Sequence, residues 1–127
     1  LLELEPGTWS SQRHWHTRAE EFVLILEGEV VLVTGTNEQI LRVGDCAGFC
    51  AGDPEGHHLQ NRAESRAVIL EVGSANPVGD KCFYPGLDLY ATAAGYFMPM
   101  ERRIDETKHA KKDFSMTTEF PIHVDAV

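Results

Sequence analysis

Short apolar runs, separated by turn residues, dominate the first seventy positions of the chain. Alternation of apolar and polar residues with a period of two is typical of a half-buried β-strand, and no stretch there shows helical periodicity. Strands spaced about 8 to 12 residues apart predict an all-β barrel or sandwich. The predicted strands are Leu1–Glu5, Ser10–His16, Glu21–Glu27, Glu29–Thr34, Gln39–Val43, Cys46–Ala51, His57–Arg62 and Arg66–Val72.

The last third of the chain lacks the regular strand pattern of the first seventy residues. From Ser74 onward, residues such as Pro77 and Pro85 interrupt the apolar positions. At 127 residues the chain is one domain by the usual size prior. We therefore expect a β-barrel core at 1–73 and an irregular C-terminal extension at 74–127 that packs on the barrel or on a partner subunit.

One predicted strand is apolar on both faces. Residues 22–26 read Phe, Val, Leu, Ile, Leu, whereas a strand in an antiparallel sheet normally turns a polar face to solvent. Something is expected to cover the outer face, and a second copy of the chain is the first choice, followed by the segment after Gly73. The sequence thus predicts a homodimer.

The amino-acid composition argues against two classes of binding partner, nucleic acids and membranes. A formal net charge of −9 argues against nucleic acid, whose binding proteins carry basic patches. No run approaches the roughly 18 apolar residues of a membrane span, so no membrane partner is expected. The chain does not begin with Met, and Leu2 to Glu5 already alternate as a strand, so upstream residues are expected.

The chain has three cysteines, Cys46, Cys50 and Cys82. This number is small and odd, whereas a disulfide framework needs several pairs. A reducing compartment is therefore the default, and a cytoplasmic location is predicted. No CxxC pair is present, so ordinary burial is the expected role of these thiols.

The candidate chemistry begins at His14 and His16. Side chains alternate faces in a strand, so both imidazoles project from one face and can converge on a single cation. Residues 17–19 read as a turn, after which Glu21 or Glu20 could bring a carboxylate back beside the histidines. The stretch predicts half of a metal site.

The other half lies in the segment GDPEGHHLQN. His57 and Asn61 share one face of the predicted strand, while His58 and Gln60 share the other. His57 is favoured as the inward residue because Asn61 would lie beside it, where a polar group can orient a ligand or substrate. His58 is then expected to be a surface or interface histidine.

Together these motifs resemble the cupin superfamily of small jelly-roll (double-stranded β-helix) proteins. The first motif reads as HxH, four residues, Glu21, six residues and Gly28, and six residues separate Gly7 from His14. In the second, running from Gly44 to Asn61, Cys50 replaces the usual Pro, and four residues, rather than two, separate Gly52 from His57. The resemblance covers Gly7 to about Val72.

The resemblance favours Glu21 over Glu20 and implies a metal site inside the barrel. The implied ligands are His14, His16, Glu21 and His57, with His58 the alternative to His57. Such a nitrogen and oxygen donor set suits a divalent transition metal, namely Mn, Fe, Ni, Co or Zn. Open coordination positions are typical of a catalytic centre.

The leading functional hypothesis is a metal-dependent enzyme acting on a small oxygenated molecule, an organic acid or a sugar-like compound. The resemblance implies isomerase, dioxygenase, decarboxylase or lyase chemistry without choosing among them. Gln12, Asn61 and His58 are candidate catalytic residues, and Arg13 and Arg18 could neutralise an anionic substrate. The alternatives are a non-catalytic module that binds or senses a small ligand, and a barrel without metal that serves as a structural dimer.

Overall fold

The computed structural model describes residues 1–75 and 77–98. This part of the chain contains eleven β-strands and no helix, hence none that could span a membrane. The strands are β1 (Leu2–Leu4), β2 (Trp15–His16), β3 (Glu21–Glu27), β4 (Glu29–Thr34), β5 (Asn37–Arg42), β6 (Cys46–Phe49), β7 (His57–Gln60), β8 (Ala67–Gly73), β9 (Cys82–Tyr84), β10 (Leu89–Thr92) and β11 (Gly95–Phe97).

The strands form three antiparallel sheets. One has the order β1-β8-β3-β6, the second β5-β4-β7, and the third β11-β10-β9-β2. Consecutive strands β3 and β4 belong to different sheets, as do β7 and β8, so the chain crosses between sheets repeatedly. This crossing makes a sandwich in which distant segments of sequence become neighbours.

The hydrophobic core fills the space between the first two sheets. Alternate residues of β3 and β4 are buried, and β8 contributes Ala67 and Ile69, neither of which is exposed to solvent. This is the period-two pattern that the sequence showed, with the apolar residues facing inward. The core consists of Leu4, Val23, Ile25, Val30, Leu32, Leu41, Leu59, Ala67 and Ile69.

Gly28 makes the connection between β3 and β4 possible. Its φ is +76°, in the left-handed region, and a Cβ placed there would lie 2.6 Å from the carbonyl oxygen of Arg66. Only glycine fits a position with both constraints. The final glycine of the first motif is therefore required by the turn and by the close approach of the chain before β8.

Two strand predictions need correction. The predicted strand Ser10–His16 is reduced to Trp15–His16, with single β-bridges at Trp9 and His14. The chain from Ser74 onward was predicted to be irregular, and this is wrong for 82–97, where β9 to β11 form a sheet on β2. The remainder of the predicted extension, from 99 onward, lies outside the described residues.

The outer face of the first sheet is apolar, as the two-sided pattern predicted. Phe22 is 39% exposed, Leu26 43% and Val72 54%, while Leu24 and Leu70 beside them are partly buried. Phe22 and Val72 are directly opposite each other across the β3 and β8 pairing, as are Leu24 and Leu70. The single chain thus leaves a continuous apolar strip on this face.

Candidate metal centre

The two histidine motifs are joined by a pair of backbone hydrogen bonds. The His14 amide donates to the His57 carbonyl at 3.1 Å, and the His57 amide donates to the His14 carbonyl at 2.8 Å. Directly opposed residues of an antiparallel pair project their side chains to the same face. Gly56, with a φ of +67°, permits this approach, because a Cβ there would lie 3.0 Å from the His14 carbonyl oxygen.

The ring of His14 is held by its Nδ1 atom. Nδ1 lies 2.9 Å from the Gln12 carbonyl oxygen and 3.1 Å from the Ser11 hydroxyl. A carbonyl oxygen only accepts, so Nδ1 carries the proton and Nε2 of the neutral ring keeps its lone pair. Nε2 lies 3.6 Å from Glu21 Oε2, so the metal-binding nitrogen faces the carboxylate.

His16 is held in the same way by a carboxylate. Its Nδ1 lies 2.6 Å from Asp80 Oδ2, while its Nε2 lies 3.8 Å from Glu21 Oε1. The other Asp80 oxygen accepts hydrogen bonds from the backbone amides of Arg18 and Ala19, which fix the carboxylate in place. Carboxylate partners of this kind orient a metal-binding imidazole and raise its basicity.

His57 completes the cluster from the other side. Its Nε2 lies 2.8 Å from Glu21 Oε2, and its ring stacks on Phe49 with centroids 3.5 Å apart and an interplanar angle of 3°. Stacking removes rotational freedom from the imidazole, so the ring enters the cluster in one orientation.

Electrostatics keep Glu21 ionised. Burial by itself would raise the pKa of this carboxyl, but hydrogen bonds from His14 and His57 outweigh burial and hold the pKa far below its usual range. For His14, burial lowers the pKa while its bonds to Glu21 and to the Gln12 carbonyl raise it, with a net rise. Burial dominates at His57, whose pKa is lowered. An anionic carboxylate beside three imidazoles is a chemically suitable donor set for a divalent transition metal.

The four predicted ligands do not form a single compact group. Ligand atoms of His14, Glu21 and His57 lie within 4.8 Å of one another, which is close enough to share one ion after small adjustments. His16 contacts Glu21 but belongs to a second group, with His14 and Cys82. Glu20 is exposed and takes no part in either group.

His58 lies elsewhere than predicted. It is 5% exposed, so its placement at the surface is wrong. Its Nδ1 donates to the Ser11 carbonyl at 2.9 Å, and the side-chain amide of Gln60 lies 3.1 Å from its Nε2. Both ring nitrogens are thus engaged outside the cluster, on the opposite face of β7 from His57.

The side chain of Asn61 links two segments of the fold by hydrogen bonds. Its side-chain amide donates to the carbonyls of Leu4 and Ser65, each at 2.8 Å, and its Oδ1 accepts from the Ala63 amide. The residue is 1% exposed and joins β1 to the loop after β7. Its bonds leave no free group to turn toward a ligand. Of the three candidate catalytic residues, Gln12 is the one that lines the cavity described next.

A cavity of about 410 Å³ opens beside the cluster. His14, His16, Glu21 and His57 form one part of its wall, and apolar side chains form much of the rest. The apolar wall includes Val23, Phe49, Leu59, Leu87 and Leu89. Ligand sites commonly combine apolar walls with a few convergent polar groups, so the cavity is the candidate binding site.

Sequence reasoning missed several polar cavity residues, among them Glu71, Cys82 and Tyr84. Burial, followed by the negative charge of Glu21, raises the pKa of Glu71. Burial also raises the pKa of Tyr84, whose ring lies 6.1 Å from that of His14. Alternation along β8 places Glu71 on the inner face with Ile69, a signal that the strand assignment contained.

Comparison with known proteins identifies the family. Residues 1–73 match the family described as Cupin domain. The chain belongs to the cupin family. The all-β jelly roll expected for a cupin is confirmed by this match and by the structural neighbours below.

Two solved structures resemble this one over 74% of its length. A sugar phosphate isomerase of the cupin superfamily from Silicibacter pomeroyi has 42% sequence identity and a TM-score of 0.68. A putative sugar phosphate isomerase from Acidithiobacillus ferrooxidans has 27% identity and a TM-score of 0.65. This cupin spans 60% of the length of each.

An oxalate oxidase in complex with glycolate shares the fold, with a TM-score of 0.55 and 16% identity over 85% of this chain and 54% of its own. No curated protein matches the sequence.

Replacement of Asp80 by Asn tests how His16 is oriented. The variant leaves a neutral amide beside Nδ1, and we expect affinity for a divalent metal to fall about 10- to 100-fold, the usual effect of losing such a partner. Metal affinity is measured by competition with a chelator. Asp53→Asn, at an exposed loop position, is the matched control and should bind as the wild type does. Equal affinity in the two variants would contradict the role of Asp80.

Proposed function

We propose that this cupin is a metal-dependent enzyme that acts on a small oxygenated molecule. The observation that carries the proposal is the convergence of the Nε2 atoms of His14, His16 and His57 on the ionised carboxylate of Glu21, at the wall of a cavity. Mn, Fe, Ni, Co and Zn all suit these donors. When bound, such an ion acts as a Lewis acid that stabilises negative charge developing on a substrate oxygen.

Sugar phosphate isomerisation is the first reaction to test, because two of the similar solved structures carry that description. The hydroxyl and carbonyl oxygens of a sugar would lie at the histidine cluster, and its carbon skeleton along the apolar wall. Within the part of the chain that the structure describes, no Lys or Arg lines the cavity. Arg13 and Arg18 donate instead to the carbonyls of Glu55 and Val78. The substrate class therefore includes unphosphorylated hydroxycarbonyl compounds and hydroxy acids.

Glu71 is the proposed proton-transfer residue. Interconversion of an aldose and a ketose requires removal of a proton from the carbon beside the carbonyl and its return to the neighbouring carbon. Glu71 lines the cavity beside the cluster. Its pKa is raised toward neutral pH, which favours a group that both takes up and returns a proton. Tyr84, kept neutral by its raised pKa, can donate a hydrogen bond to a substrate oxygen.

Metal content and ligand identity are tested together. We expect protein purified without added metal, then reconstituted with Mn²⁺, to hold about one equivalent per chain. His57→Ala should lose that metal, whereas His58→Ala should retain it and lose stability, because His58 is buried and hydrogen-bonded outside the cluster. Elemental analysis and urea denaturation provide the two readouts. Loss of metal from His58→Ala alone would reverse the assignment.

The same metal-loaded protein is then incubated in D2O with aldose and ketose pairs, phosphorylated and unphosphorylated, and followed by NMR. Interconversion with deuterium incorporation supports the isomerase. Ligands that raise the melting temperature but are recovered unchanged support a binding module instead.

Glu71→Gln isolates the proton-transfer step. The amide has nearly the same shape but cannot exchange a proton, so turnover should fall about 10²- to 10⁴-fold. Metal content should be unchanged, since Glu71 belongs to neither ligand group. Glu64→Gln, at an exposed position, is the matched control. Deuterium exchange at wild-type rate in Glu71→Gln would exclude the residue as the proton carrier.

A homodimer is the proposed cover for the apolar strip on β3 and β8. Contiguous exposed apolar surface of this kind commonly marks an interaction site. Leu26→Lys would place a charge in that strip, at a side chain that is already 43% exposed in the single chain. We expect the variant to elute as a monomer in size-exclusion chromatography with light scattering, and Val78→Lys, away from the strip, to elute as the wild type does. A monomeric wild type would refute the dimer. The cytoplasmic location stays a prediction.

A further inference from the structure

Cys82 lies beside two of the candidate metal ligands, which the sequence pattern did not predict. One ligand atom each from His14, His16 and Cys82 forms a group in which all three lie within 4.8 Å of one another. The thiol is 7% exposed and lines the same cavity wall as the histidines. It makes no disulfide.

Strand register explains the contact. His16 and Cys82 are directly opposite each other in the β2 and β9 pairing. The next pair along, Thr17 and Lys81, is joined by a backbone hydrogen bond of 2.9 Å from the Thr17 amide to the Lys81 carbonyl. In an antiparallel ladder the pair beside a hydrogen-bonded one is the pair whose side chains approach more closely. The imidazole and the thiol are therefore neighbours because of the register of the sheet.

Each histidine presents the nitrogen that a metal requires. The Nδ1 atoms of His14 and His16 are occupied by the Gln12 carbonyl and by Asp80, so both rings offer Nε2. A hydrogen bond between the Tyr84 side chain and the Cys82 side chain favours the thiolate form, although burial has the larger effect and raises the thiol pKa to about 11. Metal binding overcomes such a rise, because the cation displaces the thiol proton.

We propose that His14, His16 and Cys82 form a second ligand set that binds a thiophilic divalent cation, with Zn²⁺ and Cd²⁺ as the representative ions. The Cys82 S–H bond breaks as the S–metal bond forms, and the proton leaves to solvent. Because His14 belongs to both ligand sets, one ion excludes the other. Ions that prefer nitrogen and oxygen donors, such as Mn²⁺, bind with Glu21 and His57, while thiophilic ions are drawn toward Cys82. The kind of metal ion thus decides which of the two overlapping ligand sets binds it.

Cobalt provides the test, because thiolate ligation to Co²⁺ gives a charge-transfer absorption band in the near ultraviolet. We expect wild-type protein loaded with one equivalent of Co²⁺ to show the band, and Cys82→Ser to lack it. Cys46→Ser and Cys50→Ser, at exposed cysteines, are matched controls that should keep it. Cys82→Ser should also lose at least about 10-fold in affinity for Cd²⁺, since a direct ligand contributes no less than an outer partner. Its affinity for Mn²⁺ should stay within the error of the measurement.

A direct measurement on unmodified protein covers the case in which Cys82→Ser folds poorly. X-ray absorption of the Zn²⁺-loaded wild type should show a sulfur neighbour at about 2.3 Å. Only nitrogen and oxygen neighbours in that spectrum, or a cobalt band that persists in Cys82→Ser, would overturn the proposal. Neither result would affect the proposed enzyme, whose ligands and Mn²⁺ binding do not involve Cys82.

Discussion

The candidate site depends above all on the two backbone hydrogen bonds between His14 and His57. These residues are far apart in sequence, and neither lies within a long strand: His14 forms an isolated bridge just before β2, and His57 begins β7, which covers four residues. The reciprocal bonds place both imidazoles on one face at a fixed separation. Gly56 is required beside them because any Cβ would meet the His14 backbone at 3.0 Å. The rigid sandwich beneath, with Ile25 and Ile69 almost fully buried, supports that geometry.

The orientation of the three imidazole rings is fixed by further contacts. His14 is anchored by a nearby carbonyl, His16 by Asp80, and His57 by stacking on Phe49. Each anchor acts on the side of the ring away from Glu21 or on its flat face, which leaves the Nε2 atoms directed at the carboxylate. Local contacts therefore fix the orientation of the three imidazole rings before an ion binds, so the site is preorganised.

The cavity combines this polar cluster with apolar walls, and the combination has chemical consequences. Burial raises the pKa values of both Glu71 and Tyr84, which line the cavity where a substrate would lie. Glu21, equally part of the wall, stays ionised because two histidines hydrogen-bond it. The pKa values of two carboxyl groups in one cavity are thus shifted in opposite directions by their surroundings, which is a common basis for dividing roles between binding and proton transfer.

The sequence by itself determined the all-β architecture, because period-two patterning in short runs has few other solutions. The resemblance of its motifs to those of cupins predicted His14, His16, Glu21 and His57 as the ligands. The sequence also identified the apolar strip at Phe22 and Leu26, since a strand apolar on both faces is visible without coordinates. What could not be read was any pairing across long separations. Asp80 and Cys82 join His16 from more than sixty residues away.

Strand register, which positions Cys82 opposite His16, is set by tertiary packing, and a shift of one residue would turn the thiol to the other face. Strand length was also decided by tertiary structure. Three residues per strand in β9 and β11 leave too little periodicity to detect, and only their pairing with β2 and β10 reveals them. The same holds for His58 in β7 and for Asn61 just after it, because the environment of each depends on the neighbouring segment that covers it. Local patterning therefore specified which residues face inward, and the assembly of distant strands specified what each of them meets there.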